Sequence, residues 1–424
     1  MPEPAVATAA RTAPANGRVS SHAPEIAHRS LRICMVHYSH FEVDSRVQRQ
    51  ARALAERGAE VDCVCLSPSR RIPVGSGAIS LHPVRRRRYR GTVGAYLWGY
   101  GSFLATAAAK VSALDWLYKY DLVEVHNMPD FLVLAAGAPK ARGVPVVLDI
   151  HDTFPELFAT KFGLDGRHPL VRLIKAEERA SARMVDAVLT VTREAGERLA
   201  GRGTRMARTR VVMNSPDQQV FGPPRPPVEL PRDGAVRVMY HGGIDLRFGV
   251  HCMIEAFGHL DGCARDVTLD VYGSSHETRP LTDLARDVAP GRVFVAPTPT
   301  PFAAIPGKLA AHHVGIVPTL RDDFTELLLP VKLLECVHMG MPVVVSRLPV
   351  IERYFSDDEV RYYEPGDPRA LATAVAEVCR EPEAARARAV RATLKLRTLA
   401  WDAQRAGYLD LVDDLVGLRE ADRG

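Results

Sequence analysis

The chain has few of the features that mark a metal-binding or disulfide-linked protein. Its seven cysteines are scattered through 424 residues, and no two of them form a CxxC pair. Zinc clusters and disulfide frameworks use closely spaced or paired cysteines, so neither is expected here, and a reducing cytoplasm fits this cysteine usage. We therefore expect a cytoplasmic protein with no bound metal. No separate cofactor is expected either.

The amino-terminal segment also lacks the apolar stretch of a signal peptide. Residues 1–28 are rich in alanine and proline, and we expect them to form a disordered tail. The net charge of +5 is mild, and the contents of 46% hydrophobic and 25% charged residues are typical of a globular protein. Such a charge suits anionic small molecules or a membrane surface at least as well as nucleic acid.

What the chain does have is an alternation of predicted strands and helices. Residues 33–36 predict an apolar strand, 46–57 a helix closed by Gly58, and 61–66 a second strand. This order is the beginning of a parallel doubly wound sheet, in which the loop of residues 37–45 should face a cleft. No GxGxxG motif follows the first strand, which argues against a dinucleotide site.

A proline-rich segment divides the chain into two such halves. Residues 222–233 carry five prolines and predict a semi-rigid linker. The strand–helix alternation then begins again, so we predict an α/β protein with two doubly wound domains. The predicted domains are residues 29–221 and 234–400, followed by a last helical segment of residues 401–424.

The second half contains a predicted loop, helix and buried strand over residues 322–346. Pro330 suits the first helical position, and Gly340 suits the end of the helix. Lys332 and Glu335 lie three positions apart on one face of this helix, where packing does not require them. A helix start with both a cation and a carboxylate can hold a phosphorylated, sugar-like ligand, and the alternative is an ordinary surface ion pair.

Polar residues also follow a core strand in the first half. Residues 144–150 are almost continuously apolar, as expected for an interior strand that is covered on both faces. This strand ends in His151 and Asp152. Because active sites of α/β proteins lie at the carboxyl ends of strands, we interpret this pair as functional rather than structural.

A basic run precedes an apolar stretch in the first half. Residues 85–90 read RRRRYR, and residues 93–109 are apolar but contain several glycines. The stretch is at the short limit for a membrane span, and the combination resembles an interfacial anchor for anionic lipid. The alternative is a buried helix behind a solvated charge run. No zinc-finger, RRM-like or helix-turn-helix signature accompanies the arginines, so nucleic-acid binding ranks last.

Four segments, in order along the chain, resemble one enzyme family. LPVKLLECVHMGMPVVVS resembles the P-x-K-x-x-E and G-x-PVV signature of the retaining glycosyltransferases of family 4. MYHGGIDLRFGVHCMIEAF resembles the loop after the first strand of that family's carboxyl-terminal domain. EVHNMPDFLVLAAGAPKARGVPVVLDIHDTFPE and VVMNSPDQQVF look like segments of its amino-terminal domain. The matches span nearly the whole chain from about residue 32 onward.

The resemblance implies the GT-B fold, in which two Rossmann-like domains face a cleft and the last helix crosses back to the first domain. It implies transfer, with retention and without metal, from a UDP- or GDP-sugar to a glycan or lipid-linked acceptor, as in bacterial polysaccharide synthesis. Such an enzyme would be cytoplasmic, at the inner face of the plasma membrane. Transfer to a small molecule, a sugar-nucleotide epimerase on the same fold and a non-catalytic sugar-nucleotide sensor are the alternatives.

The resemblance also implies roles for individual residues. Lys332 and Arg247 would stabilise the diphosphate leaving group, since no metal would neutralise it. Glu335 would accept hydrogen bonds from the ribose hydroxyls. Gly242 and Gly243 would let the backbone approach the phosphates closely.

Further positions follow from the same family pattern. His151 and Asp152 would lie near the transferred sugar. The glutamate that usually contacts the sugar hydroxyls falls on Leu327 in this chain, so Glu326 and Asp323 are the two alternatives for that contact. The nucleotide-sugar site would also include Gly273 and Pro330.

Overall fold

The fold was examined in a computed structural model, which describes residues 30–84, 93–231, 233–260, 266–273 and 278–417. The predicted tail of residues 1–28 and the arginine run of residues 85–90 lie outside the described residues.

The first half of the chain forms an eight-stranded sheet. Its strands are β1 (Arg32–Val36), β2 (Glu60–Cys65), β3 (Arg70–Val74), β4 (Gly77–Pro83), β5 (Leu122–His126), β6 (Val146–Ile150), β7 (Ala187–Thr190) and β8 (Thr209–Val211). They pair in the order β3-β4-β2-β1-β5-β6-β7-β8, and all are parallel except β3, which is antiparallel to β4. The sequence pattern did not indicate this hairpin, because β3 is a largely exposed edge strand without an apolar run.

Seven α-helices lie in this half of the chain within the described residues. They are α1 (Ser45–Glu56), α2 (Val93–Tyr118), α3 (Gly137–Ala141), α4 (Phe154–Phe162), α5 (Pro169–Met184), α6 (Arg193–Gly201) and α7 (Gln218–Phe221). The helix predicted over residues 46–57 is α1, and the Asp44 carboxylate accepts a hydrogen bond from the Val47 backbone N–H at its start. The apolar stretch of residues 93–109 is only part of α2, whose buried stripe of Phe103, Ala107 and Val111 packs in the core.

The second half forms a six-stranded parallel sheet. Its strands are β9 (Val236–Gly242), β10 (Val267–Gly273), β11 (Val293–Val295), β12 (Val314–Val317), β13 (Val343–Ser346) and β14 (Arg361–Tyr363). They pair in the order β11-β10-β9-β12-β13-β14. In both sheets the strand order reverses beside the first strand of the half, which is the doubly wound topology that the sequence predicts.

The helices of the second half follow one another to the end of the described residues, and the last of them packs on the first sheet. They are α8 (Val250–Phe257), α9 (Arg279–Val288), α10 (Ile305–Leu309), α11 (Val331–His338), α12 (Pro349–Tyr354), α13 (Pro368–Arg380), α14 (Pro382–Leu399) and α15 (Trp401–Val416). α14 and α15 are separate helices, because Ala400 between them is extended, with ψ of 160°. α15 returns to the first half, where the Tyr408 hydroxyl donates to Glu124 of β5 at 2.7 Å. This crossing confirms the predicted GT-B arrangement.

The proline-rich connection between the halves is attached to α11. Backbone N–H groups of Arg225 and Val228 donate to the carbonyls of His338 and Gly340, at 2.9 and 2.8 Å. Gly340 has φ of +74°, and a Cβ there would lie 2.2 Å from the Pro226 carbonyl oxygen. Only glycine allows this close approach, so the residue that ends α11 also fixes the path of the connection.

Candidate active site

A cavity of about 560 Å³ lies between the two halves of the molecule. Its walls come from segments that follow the carboxyl ends of β6, β9 and β10, and from the start of α11. This is the edge at which open α/β sheets bind ligands. The predicted site residues that line the cavity are His151, Asp152, Gly242, Arg247, Gly273, Pro330, Lys332 and Glu335.

Lys332 lies in the first turn of α11 with its side chain against two aromatic rings. Its Nζ donates to the Tyr240 hydroxyl at 3.1 Å and lies 4.0 Å from the centre of the Phe248 ring. Burial lowers the pKa of Lys332 to about 8, although the nearby Glu335 charge opposes this shift. The side chain can therefore be protonated at neutral pH, but its charge has little solvent around it and is available to an anion.

Two details around this helix start refine the sequence prediction. Pro330 precedes α11 rather than occupying its first helical position, because its ψ of 120° is extended. Gly242, at the end of β9, has φ of +124°, and a Cβ there would lie 3.3 Å from Lys332 Nζ. The glycine thus leaves room for the ammonium group next to an exposed strand end.

Glu335 lies one turn further along α11 and is buried. Burial raises its pKa to about 7, and the charges of Lys332 and Arg49 partly offset this shift. Its Oε2 lies 3.6 Å from Nε2 of His241. Burial, together with the charge of Lys332, lowers the pKa of His241 to about 3, so this imidazole is neutral. Among the described residues, no lysine or arginine forms a direct ion pair with Glu335, so its oxygens can accept hydrogen bonds from hydroxyl groups.

Arg247 is supplied by the short 3-10 helix Leu246–Phe248, between β9 and α8. It donates to the Asp245 carboxylate at 2.9 Å, and its guanidinium lies 5.7 Å from the centre of the Phe324 ring. The next residue but one, Gly249, has φ of +63°, and a Cβ there would overlap the Pro318 carbonyl oxygen at 1.9 Å. Glycine is required at that turn, and the turn holds Arg247 at the cavity.

The opposite wall is formed by His151 and Asp152, directly after β6. The Asn127 side-chain oxygen accepts a hydrogen bond from the His151 backbone N–H at 2.8 Å. His151 Nε2 lies 3.1 Å from Nδ1 of the buried His126, so the two rings share one proton between these nitrogens. Burial raises the pKa of Asp152, while the charges of His151 and Arg247 oppose the shift. The charge of Arg247 therefore acts across the cavity on this carboxyl group.

A buried charged network lies behind this wall. Asp149, within β6, receives hydrogen bonds on both oxygens from Arg46 of α1, at 2.7 and 2.8 Å. Gln50, one turn further along α1, donates to the same carboxylate at 2.8 Å. Burial by itself would raise the pKa of Asp149, but the charge of Arg46 together with the charge and hydrogen bonds of His151 and His126 holds it well below its usual value. The network fixes the end of β6, and with it the direction in which His151 leaves the sheet.

Three of these groups have the composition of a metal site. Ligand atoms of His126, Asp149 and His151 all lie within 4.8 Å of one another. However, both oxygens of Asp149 already accept hydrogen bonds from the Arg46 guanidinium, and a second cation there would be repelled. The group fits a hydrogen-bonded network better than a metal centre.

Three of the residues that the sequence suggested for this site do not line the cavity. Gly243 lies behind its wall, where a Cβ would meet the Phe248 ring at 2.8 Å, so this glycine serves packing of the loop. Glu326 faces away from the lining and lies 3.7 Å from the Arg321 guanidinium. Asp323 is also not part of the cavity lining. Neither of the two alternatives for the missing family glutamate is therefore brought to the site.

Leu327, at the position of that glutamate, is buried and holds the two halves together. Its carbonyl accepts a hydrogen bond from the Thr192 hydroxyl of the first half. The following residues Leu328 and Leu329 line the cavity. This part of the wall is therefore apolar side chain and backbone, where the family pattern has a carboxylate.

Several residues of the site were missed by sequence reasoning. Tyr240, Phe248 and His241 are ordinary core residues of a strand and a turn until α11 is packed against them. Arg46 and Asp149 had a readable signal, since a carboxylate inside the apolar run of residues 144–150 requires a partner. The sequence could not say which cation that partner is.

Family models match both halves of the chain. Residues 43–215 match the glycosyl transferase 4-like domain, and residues 235–381 match the glycosyl transferases group 1. The chain belongs to the glycosyltransferases. The predicted family resemblance is thereby confirmed, and the interdomain cavity is the cleft of such an enzyme.

Solved structures confirm the GT-B fold of this glycosyltransferase. Sucrose-phosphate synthase from Thermosynechococcus elongatus aligns with a TM-score of 0.70 at 17% identity, over 92% of this chain and 100% of that chain. The trehalose 6-phosphate synthase from Burkholderia multivorans aligns with a TM-score of 0.68 at 15% identity, over 94% of this chain and 99% of that chain. HepE from Anabaena in complex with UDP-glucose aligns with a TM-score of 0.65 at 13% identity, over 91% of this chain and 100% of that chain. No curated protein sequence gives a significant match.

Proposed function

We propose that this glycosyltransferase moves a sugar from a nucleoside-diphosphate sugar to a glycan or lipid-linked acceptor, with retention of configuration and without a bound metal. The observation that carries the proposal is that Lys332 and Arg247 both line one cavity, opposite His151 and Asp152. Two cations on one wall suit a diphosphate, and polar groups on the other wall suit a sugar.

The leaving group is the first requirement of this chemistry. Cleavage of the bond between the anomeric carbon and phosphate oxygen leaves negative charge on the diphosphate, which cations in a partly dehydrated site stabilise strongly. Lys332 and Arg247 supply that charge in our proposal, and Glu335 accepts hydrogen bonds from the ribose hydroxyls. Binding of the diphosphate beside Lys332 would favour its protonated form.

Retention is explained by attack on the same face from which the diphosphate departs. The acceptor hydroxyl forms the new bond to the anomeric carbon as the old bond breaks, and its proton passes to the departing phosphate oxygen. Asp152 then acts on the sugar by hydrogen bonding and charge, not as a covalent nucleophile. His151 binds a sugar hydroxyl through the ring nitrogen that does not face His126.

The base of the donor would lie on the second-half side of the cavity. Tyr272, Thr300 and Phe302 line it there, beside Gly273. A Cβ at Gly273 would meet the Ile244 side chain at 2.0 Å, so a larger residue there would require that side chain to move. HepE, one of the structural relatives, binds UDP-glucose, which favours a UDP-sugar in this chain, with a GDP-sugar as the other donor to test.

A lipid-linked acceptor would bring the enzyme to the inner face of the plasma membrane. On α2, Trp98 is 66% exposed, Trp116 77% and Leu117 68%, which is unusual for a helix that only packs in a core. The Lys119 ammonium lies 4.5 Å from the centre of the Trp116 ring. Exposed aromatics with basic neighbours are typical of interfacial contact with anionic lipid. Within the described residues, no helix is long and apolar enough to cross a membrane.

The test is a donor screen with radiolabelled UDP- and GDP-sugars and a bacterial membrane extract. We expect one donor to release nucleoside diphosphate and to label a lipid or polysaccharide fraction, with the anomeric configuration retained by NMR and with full activity in EDTA. Conversion of the donor to an epimer without release of diphosphate would contradict the transfer. Labelling only of small soluble molecules would contradict the proposed acceptor class, and an inverted product would contradict the mechanism.

Membrane contact is tested separately by sedimentation with vesicles that contain phosphatidylglycerol. Replacing Trp98 and Trp116 with Ser, or Arg85–Arg88 with Ser, should abolish sedimentation with these vesicles. The exposed Leu394→Ser on α14 is the matched control and should sediment like the unaltered protein. Unchanged sedimentation of both test variants would refute membrane docking through this segment.

A further inference from the structure

A second pocket lies at the edge of the first sheet that is opposite the cleft. It has a volume of about 410 Å³ and is bounded by the end of α5, the start of β7 and the segment between α6 and β8. The cleft residue Val191 follows the carboxyl end of β7, whereas the pocket residues Val185 and Val188 lie at its amino end. Because β6, β7 and β8 are parallel, the two sites are on opposite edges of one sheet.

Three arginines surround this pocket. Arg183 comes from the end of α5, and Arg205 and Arg208 from the segment before β8. Within the part of the chain that the structure describes, none of the three guanidinium groups forms an ion pair with a carboxylate. Three like charges around one concave surface repel one another, and an anion between them relieves this repulsion.

The carboxylates on neighbouring segments are engaged elsewhere. Asp186, at the start of the β7 segment, pairs with Lys140 at 3.1 Å and also accepts a hydrogen bond from the Val146 backbone N–H at 2.8 Å. Glu178 of α5 pairs with Arg202 at 2.8 Å. The positive charge of the pocket is therefore not balanced by these acids.

A buried hydroxyl group points to a ligand independently of the charge. Thr204 lines the pocket and is only 8% exposed, and its hydroxyl has no hydrogen-bond partner among the described residues. Its backbone is fixed, because its N–H donates to the Leu199 carbonyl at 3.1 Å. Buried hydroxyl groups are nearly always hydrogen-bonded, and an anion in the pocket would give the Thr204 hydroxyl an acceptor.

We propose that this pocket is a second binding site, which takes a phosphate or phosphomonoester group. Arg183, Arg205 and Arg208 contribute charge-assisted hydrogen bonds to its oxygens, and the Thr204 hydroxyl donates one more. The apolar side chains of Val185 and Val188 at the floor leave room for a small organic group beside the phosphate. The site is separate from the cleft, so it can be occupied together with the sugar donor.

The experiment measures binding of inorganic phosphate and of glycerol 3-phosphate to the whole protein by titration calorimetry. The cleft also binds phosphate groups in our proposal, so every titration is repeated in the Lys332→Ala variant, which should retain binding at the second pocket. Arg205→Gln together with Arg208→Gln should weaken that binding about ten- to a hundredfold for each arginine that contacts the anion, since hydrogen bonds to charged groups are the strong ones. Thr204→Val should weaken it by a smaller factor.

The matched control is Arg369→Gln with Arg380→Gln, which removes the same charge from exposed positions on α13. If the test and control variants bind the soluble phosphates with equal affinity, the phosphate group that the pocket takes can only be that of a lipid headgroup. That source is tested by sedimentation with vesicles containing phosphatidic acid, against phosphatidylcholine alone. Loss of sedimentation only in the Arg205 and Arg208 variant would assign the site to a phosphate headgroup. Equal behaviour of both variants in both assays would overturn the proposal.

Discussion

The two walls of the cleft are built in opposite ways. On the second-half wall, Lys332 and Glu335 lie within one helix, and Gly242 leaves space for the lysine at an adjacent strand end. On the first-half wall, His151 stands on a strand whose end is held by a charge pair between Arg46 and Asp149, which are 103 positions apart. One wall depends on a local motif and the other on a long-range network, so substitutions should damage them differently.

The largest expected effect is on the long-range wall and concerns stability. Arg46→Ala leaves Asp149 as a buried carboxylate without its cation, and removing one partner of a buried pair costs about 3–5 kcal/mol of unfolding free energy. Urea denaturation monitored by circular dichroism measures it. The control Arg347→Ala removes an arginine from an exposed cluster with Glu352 and Asp357, for which we expect about 0–1 kcal/mol. Equal losses in the two variants would mean that the Arg46 network does not support this wall.

The local wall should show the reverse, with loss of activity and little loss of stability. Lys332→Ala removes a cation that faces the leaving diphosphate, and we expect kcat/KM to fall about a hundred- to a thousandfold. Initial rates with the donor found in the screen measure this. Lys395→Ala, on α14 and away from the cavity, is the control and should be fully active. A Lys332 variant with more than a tenth of normal activity would remove the lysine from the proposed mechanism.

The pH dependence of kcat/KM tests the ionisation states of Lys332 and Glu335 on the same wall. Lys332 must be protonated, so kcat/KM should fall about tenfold per unit as the pH rises above its pKa of about 8. Glu335 must be ionised to accept two hydroxyl hydrogen bonds, so kcat/KM should fall as the pH drops below its pKa of about 7. We therefore expect a narrow bell-shaped profile of kcat/KM against pH, with its maximum between these two pKa values. Lys332→Arg should remove the alkaline limb, because guanidinium stays protonated, and Glu335→Gln should remove the acid limb. A flat profile from pH 6 to 9 would contradict both assignments.

The smallest effect is expected where the two halves meet at the surface. Arg353 of α12 pairs with two carboxylates of α6, Glu194 at 2.5 Å and Glu197 at 3.0 Å, and its side chain is 42% exposed. Arg353→Gln should lower the unfolding free energy by less than about 1 kcal/mol, because water screens such pairs. Arg361→Gln, which removes a pair with Glu377 inside the second half, is the matched control. A much larger loss for Arg353→Gln would show that the two walls depend on this contact to face each other.

Much of the fold was predictable because its signals are local. Apolar strands, helix-ending glycines such as Gly58 and Gly340, and the proline-rich connection each act through neighbouring residues. The edge strand β3 was missed because an exposed strand carries no apolar pattern.

In the candidate site, too, the residues with a local sequence signal were predicted and the others were not. Lys332 and Glu335 could be singled out because a charged pair on a helix between a loop and a core strand has no packing purpose. Glu326 could not be excluded by spacing, since it lies in an irregular turn whose path decides whether its side chain enters the cavity or meets Arg321. Gly243 and Gly242 are adjacent in sequence, yet only Gly242 borders the cavity.

The sequence alone determined two doubly wound α/β halves, the carboxyl-edge position of the site and the identity of its cationic helix. These features depend on residue spacing within single helices and strands, and that spacing can be read directly from the sequence. Only the tertiary structure decided that Asp149 forms an ion pair with Arg46 and that the His151 ring contacts the His126 ring. It also decided that the Leu327 carbonyl meets the Thr192 hydroxyl of the other half. Those contacts link positions far apart in the chain, and the residue at either end does not specify its partner until the sheets and helices have packed.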